Sequence, residues 1–269
     1  MIGLRQLREL WAWCGFSRRG SGGKGAGRHP RAYLSGMMGR THAAIGLAAG
    51  AGIGFAAFGF QSAKWLIPAV AVCGAAVLPD LDEPNSSVSR EFGIVSRGFS
   101  VIVGKAAGGH RKLTHSLLGM GITVAVLMVA VTGTLSGAVL FGLLAATAWR
   151  IVAPWWSGVR WLFLPAGFAA GWLFDHLHPI AAAWVVALLG AGWLLHMAGD
   201  FLTKGGVPLL YPNSKRFCAA VFGATGSTAE GVLAVAIYAG VAVAAGFWLS
   251  HHAPAITAAS LARILPLNG

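Results

Sequence analysis

Long apolar stretches alternate with short polar ones along most of this chain. Seven apolar segments follow one another, at about 43–60, 65–79, 116–132, 135–148, 161–174, 180–198 and 229–249. Several are shorter than the roughly 20 residues that a straight helix needs to cross a bilayer, so we expect some helices to be only partly embedded. The pattern predicts an all-α, polytopic helical membrane protein with about seven membrane-embedded helices.

The composition supports a membrane protein. Hydrophobic residues make up 56% of the 269 residues and charged residues only 10%, whereas soluble domains carry about 25% charged residues. The net charge of +12 raises the possibility of nucleic-acid binding. The basic residues, however, fall mainly in an N-terminal arm and between apolar segments, as membrane topology requires. We therefore expect no nucleic-acid partner.

The first 40 residues differ from the rest of the chain. They contain eight Lys or Arg residues and the run SRRGSGGKGAGRHPR, which predicts a flexible basic arm over 1–40. Two alternatives remain for this arm: a short helix on an anionic membrane surface, or a chain that begins within MMGRTH and lacks residues 1–36. Residues 41–250 are expected to form the membrane-embedded domain, and 251–269 a short C-terminal tail.

Basic residues between the apolar segments predict the orientation, because cytoplasmic loops carry an excess of Lys and Arg. With the basic arm in the cytoplasm, alternation of the spans places the basic segments 80–115 and 199–228 there as well. The same alternation brings one polar set to the cytoplasmic edge: His42, Asp80, Asp82, His110, His115, His196 and Asp200. A second set falls on the opposite side and is left outside this site: Asp175, His176, His178, His251 and His252.

The cytoplasmic set has the composition of a metal site. His196 and Asp200 are four residues apart, so their side chains share one face of a helix. Asp80 and Asp82 occupy alternate positions and can point into one site. Mixed His and Asp ligands without cysteine suit one or two Zn or Mn ions that activate a water molecule for hydrolysis. The three cysteines are far apart and show no ligand spacing.

The segment GHRKLTHS combines imidazoles with cations. His110 and His115 bracket Arg111 and Lys112. Neutral imidazole is a good ligand for Zn, Mn or Fe, and a guanidinium beside it provides charge for a phosphate or another anion. We therefore predict catalytic roles for His110, Arg111 and His115.

Five motifs in a fixed order resemble those of a known family. They are THAAIG at 41–46, LPDLD at 78–82, HRKLTHS at 110–116, HMAGDFLTKGG at 196–206 and LLYP at 209–212. The set resembles the YdjM-like family, described as LexA-binding, inner-membrane-associated metal-dependent hydrolases. The resemblance implies a helical inner-membrane protein with remote kinship to zinc-dependent phospholipase C. It implies a site built from His42, Asp80, Asp82, His110, His115, His196 and Asp200, of which we expect His42, Asp80, Asp82, His115, His196 and Asp200 to bind metal.

Three functions compete on this pattern. The first is a membrane-bound hydrolase that acts on a phosphoester or similar bond of a lipid or another anionic, membrane-associated substrate. The second is a proton- or cation-coupled transporter, because intramembrane His and Asp residues also form relays. The third is a non-catalytic membrane regulator, which needs no metal. Transport favours polar groups distributed through the bilayer, whereas these lie at one edge, so hydrolysis is preferred.

Overall fold

The computed structural model describes residues 39–133, 136–152, 162–177, 181–222 and 227–252. Residues 1–38 and 253–269 lie outside these ranges. The predictions for the basic arm and the C-terminal tail therefore stay predictions. Within them the α-helices are α1 Gly39–Phe58, α2 Leu66–Ala75, α3 Ile94–Ala106, α4 Leu117–Gly133, α5 Gly137–Val152, α6 Phe163–Leu177, α7 Ala182–Phe201 and α8 Thr228–His252. No strand forms in these ranges, which confirms the predicted fold class.

Four helical stretches are long and apolar enough to cross a membrane: Gly39–Phe58, Ala63–Asp82, Ala182–Phe201 and Thr228–His251. The second of these includes α2 with the 3-10 turns Ala63–Trp65 and Leu78–Asp82 at its two ends. The remaining three apolar segments form shorter helices in α4, α5 and α6. Each predicted segment therefore corresponds to one helical stretch. Helix α3 was not predicted, because its sequence lies in the basic segment 80–115, between two predicted apolar segments.

Small residues let the inner helices approach closely. Gly46, Gly50 and Gly54 of α1 face the second span, where a Cβ on Gly46 would lie only 2.7 Å from the carbonyl oxygen of Val72. Gly54 meets Trp65 in the same way, so the two helices run antiparallel. Such backbone proximity gives the dense packing that replaces the hydrophobic effect between helices in lipid.

Helix α2 lies at the centre of the bundle. It contacts α1, α5 and α7, and its Val72 joins Phe141, Leu144 and Leu189 in the main buried cluster. In contrast, α8 packs mainly on α1 and leaves most of its surface exposed. An apolar exposed surface of this kind is expected of a helix that faces lipid.

The chain direction places several helix ends at the same end of the bundle. Helix α1 begins there, the span Ala63–Asp82 ends there, α4 begins there and α7 ends there. Each predicted ligand lies in or beside one of these ends. The fold therefore collects polar residues from distant parts of the sequence into one small volume.

Candidate metal centre

Four ligand-type atoms converge at this end of the bundle: His115 Nε2, His196 Nε2, Asp80 Oδ1 and Asp200 Oδ2. The two Nε2 atoms are 3.1 Å apart. His115 Nε2 lies 3.4 Å from Asp80 Oδ1 and 3.7 Å from Asp200 Oδ2, and His196 Nε2 lies 3.8 Å from each of the same oxygens. Ligands about 2.0–2.2 Å from a tetrahedral Zn²⁺ ion are roughly 3.3–3.6 Å from one another. These separations are close to that range. Two sets of ligand atoms, Asp80 with His115 and His196, and Asp200 with His42 and His196, each lie within 4.8 Å of one another, so the residues present fit a metal ion.

The hydrogen bonds of the two histidines direct their lone pairs at this volume. His196 Nδ1 lies 2.8 Å from the carbonyl oxygen of Ala76, to which it can only donate. His115 Nδ1 lies 3.0 Å from Thr114 Oγ1, whose own hydroxyl donates to Asp82 Oδ2. With both rings neutral, this network assigns tautomers in which the two Nε2 atoms carry lone pairs that face each other. A proton on His115 Nε2 or a bound cation removes the repulsion between those lone pairs.

The carboxylates of Asp80 and Asp82 favour a positive charge on the ring of His115. Burial alone would lower the pKa of its imidazole, but hydrogen bonds with the carboxylates of Asp80 and Asp82 outweigh burial and raise the pKa to about 9. The surroundings therefore stabilise a positive charge at this position. A bound metal ion would provide that charge in place of a proton.

His42 completes one side of the cluster. Its ring stacks on that of His196 with centroids 3.8 Å apart, and its Nε2 lies 3.4 Å from Asp200 Oδ1. Both ring nitrogens are buried and neither has a hydrogen-bond partner among the described residues. Because buried polar groups are nearly always hydrogen-bonded, an imidazole whose polar contact in the described part of the chain is the longer one to Asp200 is consistent with a ligand to an ion.

Asp82 fixes the loop that carries the basic residues. Its Oδ1 lies 2.7 Å from His110 Nδ1, and its Oδ2 accepts from the backbone N–H of Arg111 at 3.0 Å and from Thr114 Oγ1. His115 Nδ1 is 3.5 Å from the same Oδ2. Asp82, His110 and His115 can also be grouped as a possible metal set. Since both oxygens of Asp82 already accept hydrogen bonds, this contact pattern favours a role in orienting His115.

Arg111 is almost completely buried and points back into the cluster. Its Nη2 lies 2.9 Å from Asp200 Oδ2, while Nε and Nη1 have no hydrogen-bond partner among the described residues. Its backbone adopts a left-handed φ of 57°, which is uncommon for a residue with a side chain and often marks a functional site. Two donors of this buried guanidinium therefore have no hydrogen-bond partner among the described residues.

Sequence reasoning missed two groups near the cluster. Thr114 holds Asp82 and His115 through its hydroxyl, and its carbonyl accepts from Trp193 Nε1 at 2.7 Å. Glu230 is buried and accepts from Thr41 Oγ1 at 2.9 Å, directly beside His42. Glu230 had a signal in the sequence, because it is the only acidic residue of the apolar segment that forms α8, and acidic residues in membrane segments are costly.

The residues that we left outside the site lie elsewhere where they are described. His176 stacks on Trp172 near the end of α6, and His251 contacts the carbonyl oxygen of Phe247 near the end of α8. The side chains of Asp175, His178 and His252 are outside the described residues. Because α8 begins at the cluster, about 1.5 Å per residue places His251 roughly 30 Å from Glu230.

The fold and this cluster define a polytopic helical membrane protein with a buried His and Asp centre at one end of its bundle. A sequence profile described as YdjM inner membrane protein matches residues 37–265. The chain belongs to this inner-membrane family, which confirms the resemblance seen in the motifs.

Two curated relatives carry the same name, inner membrane protein YdjM, in Escherichia coli (strain K12) and Shigella flexneri. Each is 28% identical to this chain over 141 residues, which cover 52% of this chain and 47% of the relative. The chain thus matches about half the length of these relatives. No solved structure shows significant similarity to it.

Proposed function

We propose that this protein is a membrane-bound metal-dependent hydrolase that cleaves a phosphoester or similar bond in a lipid or another anionic, membrane-associated substrate. The observation that carries the proposal is the convergence of the Nε2 atoms of His115 and His196, 3.1 Å apart, with oxygens of Asp80 and Asp200. A non-catalytic regulator has no need for such a buried arrangement, whose polar groups are costly within a membrane protein.

Asp80, His115, His196 and Asp200 hold the ion in this proposal, with His42 beside them as a further ligand. Zn²⁺ and Mn²⁺ both accept mixed imidazole and carboxylate ligands. When bound, such an ion acts as a Lewis acid and lowers the pKa of a coordinated water molecule. Side chains of the protein provide the proton carrier and the group that binds the anionic part of the substrate.

His110 is the proton carrier of this proposal. Its side chain is partly open, with 28% of its surface exposed, and its Nδ1 contacts Asp82 Oδ1 at 2.7 Å. With Nδ1–H directed at that carboxylate, Nε2 is free to accept a proton from water or return one to a leaving oxygen. Asp82 acts through His110 and His115 by holding their orientation.

Arg111 binds the anionic part of the substrate. Its Nη2 pairs with Asp200, and its unpaired Nε and Nη1 remain as donors beside the metal ligands. A guanidinium suits phosphate because its donors form a planar fork that matches two oxygens. The negative charge that develops on the substrate during cleavage is stabilised by such fixed donors.

Metal analysis of the purified protein is the first test. We expect bound Zn or Mn in the parent chain and none in the double variant His196→Ala and Asp200→Ala. His251→Ala, at the far end of α8, is the matched control and should retain the metal. Thermal unfolding of each variant checks that the fold persists. A folded parent that binds no divalent metal would contradict the proposal.

Activity is measured on two substrates, the chromogenic phosphodiester bis(p-nitrophenyl) phosphate and phospholipid vesicles. Cleavage that depends on added metal and disappears in the double variant supports hydrolysis. Metal binding without cleavage, combined with metal or proton movement across sealed vesicles, would instead favour the transporter.

The cytoplasmic location of the site is tested by accessibility. We propose that the N-terminus and the segment around Asn85 face the cytoplasm. A cysteine introduced at Asn85, which is exposed, should react with a membrane-impermeant reagent only after the cells are opened. Labelling in intact cells would place the site on the other side.

A further inference from the structure

Helix α3 leaves an apolar face uncovered. Ile94, Val95, Phe99 and Ile102, here called the α3 apolar face, are 85%, 68%, 55% and 65% exposed. Their spacing places them in adjacent rows along one side of the helix, and a Cβ at Gly98 between them would meet no other atom within 4 Å. Exposed apolar surface of this kind marks an interaction site.

The opposite face of α3 is held tightly against the loop that carries the metal ligands. Ser96 Oγ donates to the carbonyl oxygen of Ser89 at 2.8 Å and accepts from Phe92 N at 3.0 Å. A Cβ on Gly104 would lie 2.5 Å from the carbonyl oxygen of Asp82, so only glycine allows this approach. The helix therefore cannot rotate to bury its apolar face, and its orientation is linked to that of Asp82.

Cations border the α3 apolar face. Arg97 and Lys105 are exposed on the helix itself, Arg90 is exposed just before it, and the helix contains no acidic residue. An amphipathic helix with cations beside its apolar face is suited to the boundary between lipid headgroups and acyl chains. Exposed Lys and Arg residues at that depth attract anionic lipids.

We propose that α3 is a lipid-binding helix that inserts its apolar face into an anionic leaflet and brings phospholipid headgroups to the edge of the His and Asp centre. Three features support this occupant: the complementary charge of Arg97 and Lys105, the position of α3 between two membrane-embedded stretches, and the tight link between Gly104 and Asp82. Arg111, five residues beyond the end of α3, provides unpaired buried donors for a phosphate. The anionic leaflet is then the source of the substrate. This part of the inference rests on the proposed hydrolase function.

Photo-crosslinking of the full chain in nanodiscs tests the proposal. A diazirine-bearing amino acid replaces Ile102. In the control it replaces Asn85, an exposed residue of the loop before α3. The nanodiscs contain equal amounts of phosphatidylglycerol and phosphatidylcholine, and adducts are counted by mass spectrometry. We expect several-fold more lipid adducts at 102 than at 85, with phosphatidylglycerol in excess. Val95 serves as a second labelling position on the same face.

The charge contribution is tested with Arg97→Gln combined with Lys105→Gln. Because the apolar face remains, lipid adducts at 102 should persist, while the excess of phosphatidylglycerol over phosphatidylcholine should disappear. Lipid adducts no more frequent at 102 and 95 than at 85, or adducts between two protein copies in their place, would overturn the proposal. Equal capture of the two lipids by the parent chain would overturn its anionic selectivity. These readouts require neither bound metal nor cleavage, so they are independent of the proposed hydrolase activity.

Discussion

The two ends of the bundle contain the same residue types in very different surroundings. At the ligand end, His42, His115 and His196 are buried and lie within 4 Å of carboxylate oxygens contributed by other segments. At the far end, His251 is exposed and contacts only Phe247 and Ser250 of its own helix turn in the described hydrogen bonds. Residue type therefore does not define the site. Convergence of several segments on a buried volume defines it.

The strongest test of this contrast removes a shared carboxylate. Asp200 contacts His42, Arg111 and His196, so Asp200→Asn removes one negative charge from all three while it keeps the shape of the side chain. We expect loss of bound metal and of hydrolysis together, because the ion provides the nucleophile. Metal stoichiometry and turnover are measured beside His251→Ala, which should match the parent. Full metal occupancy in folded Asp200→Asn would show that Asp200 is not a ligand.

A smaller effect is expected where a residue orients a ligand. Asp82→Asn weakens the contacts that fix His110, Thr114 and His115. Loss of such an outer partner typically lowers metal affinity or activity about 10- to 100-fold. Titration of the metal-free protein with Zn²⁺ measures the change. A complete loss of binding, as severe as that in Asp200→Asn, would instead identify Asp82 as a direct ligand.

Replacement of Arg111 distinguishes an effect on substrate binding from an effect on metal binding. Arg111→Ala should retain metal when metal is saturating but reduce turnover of an anionic substrate, because a hydrogen bond to a charged group contributes about 1.5–3 kcal/mol. Arg111→Lys restores the charge without the planar fork and should recover only part of the activity. Metal loss from well-folded Arg111→Ala at saturating metal is the result that contradicts this role.

The smallest effect is expected at the N-terminus. Every proposed ligand lies at or after His42, so a chain that starts at Met38 should fold and bind metal like the parent. Metal content and thermal unfolding of the two purified proteins test this expectation. Metal loss from a folded truncation would indicate that the arm contributes a ligand, for which His29 is the first candidate.

The sequence alone determined the fold class and named the His and Asp residues that are candidates for the site. Apolar segments can be recognised in the sequence because a helix in lipid needs a long run of residues without charge. The alternation of those segments across the membrane predicted one common edge for His42, Asp80, His115, His196 and Asp200. The structure brings these five together. It shows that His176 and His251 stay at the opposite helix ends, as the alternation also predicted.

Only the tertiary structure decided which of those residues contact one another, and through which atoms. Spacing along the chain cannot tell that Asp82 faces Nδ1 of His115 while Asp80 faces Nε2, or that Arg111 pairs with Asp200, 89 residues away. It also cannot reveal that α3 is a helix with one face fixed by Gly104 and the other exposed. Those features depend on the relative positions of segments distant in sequence, because side-chain contacts form only after the helices have packed.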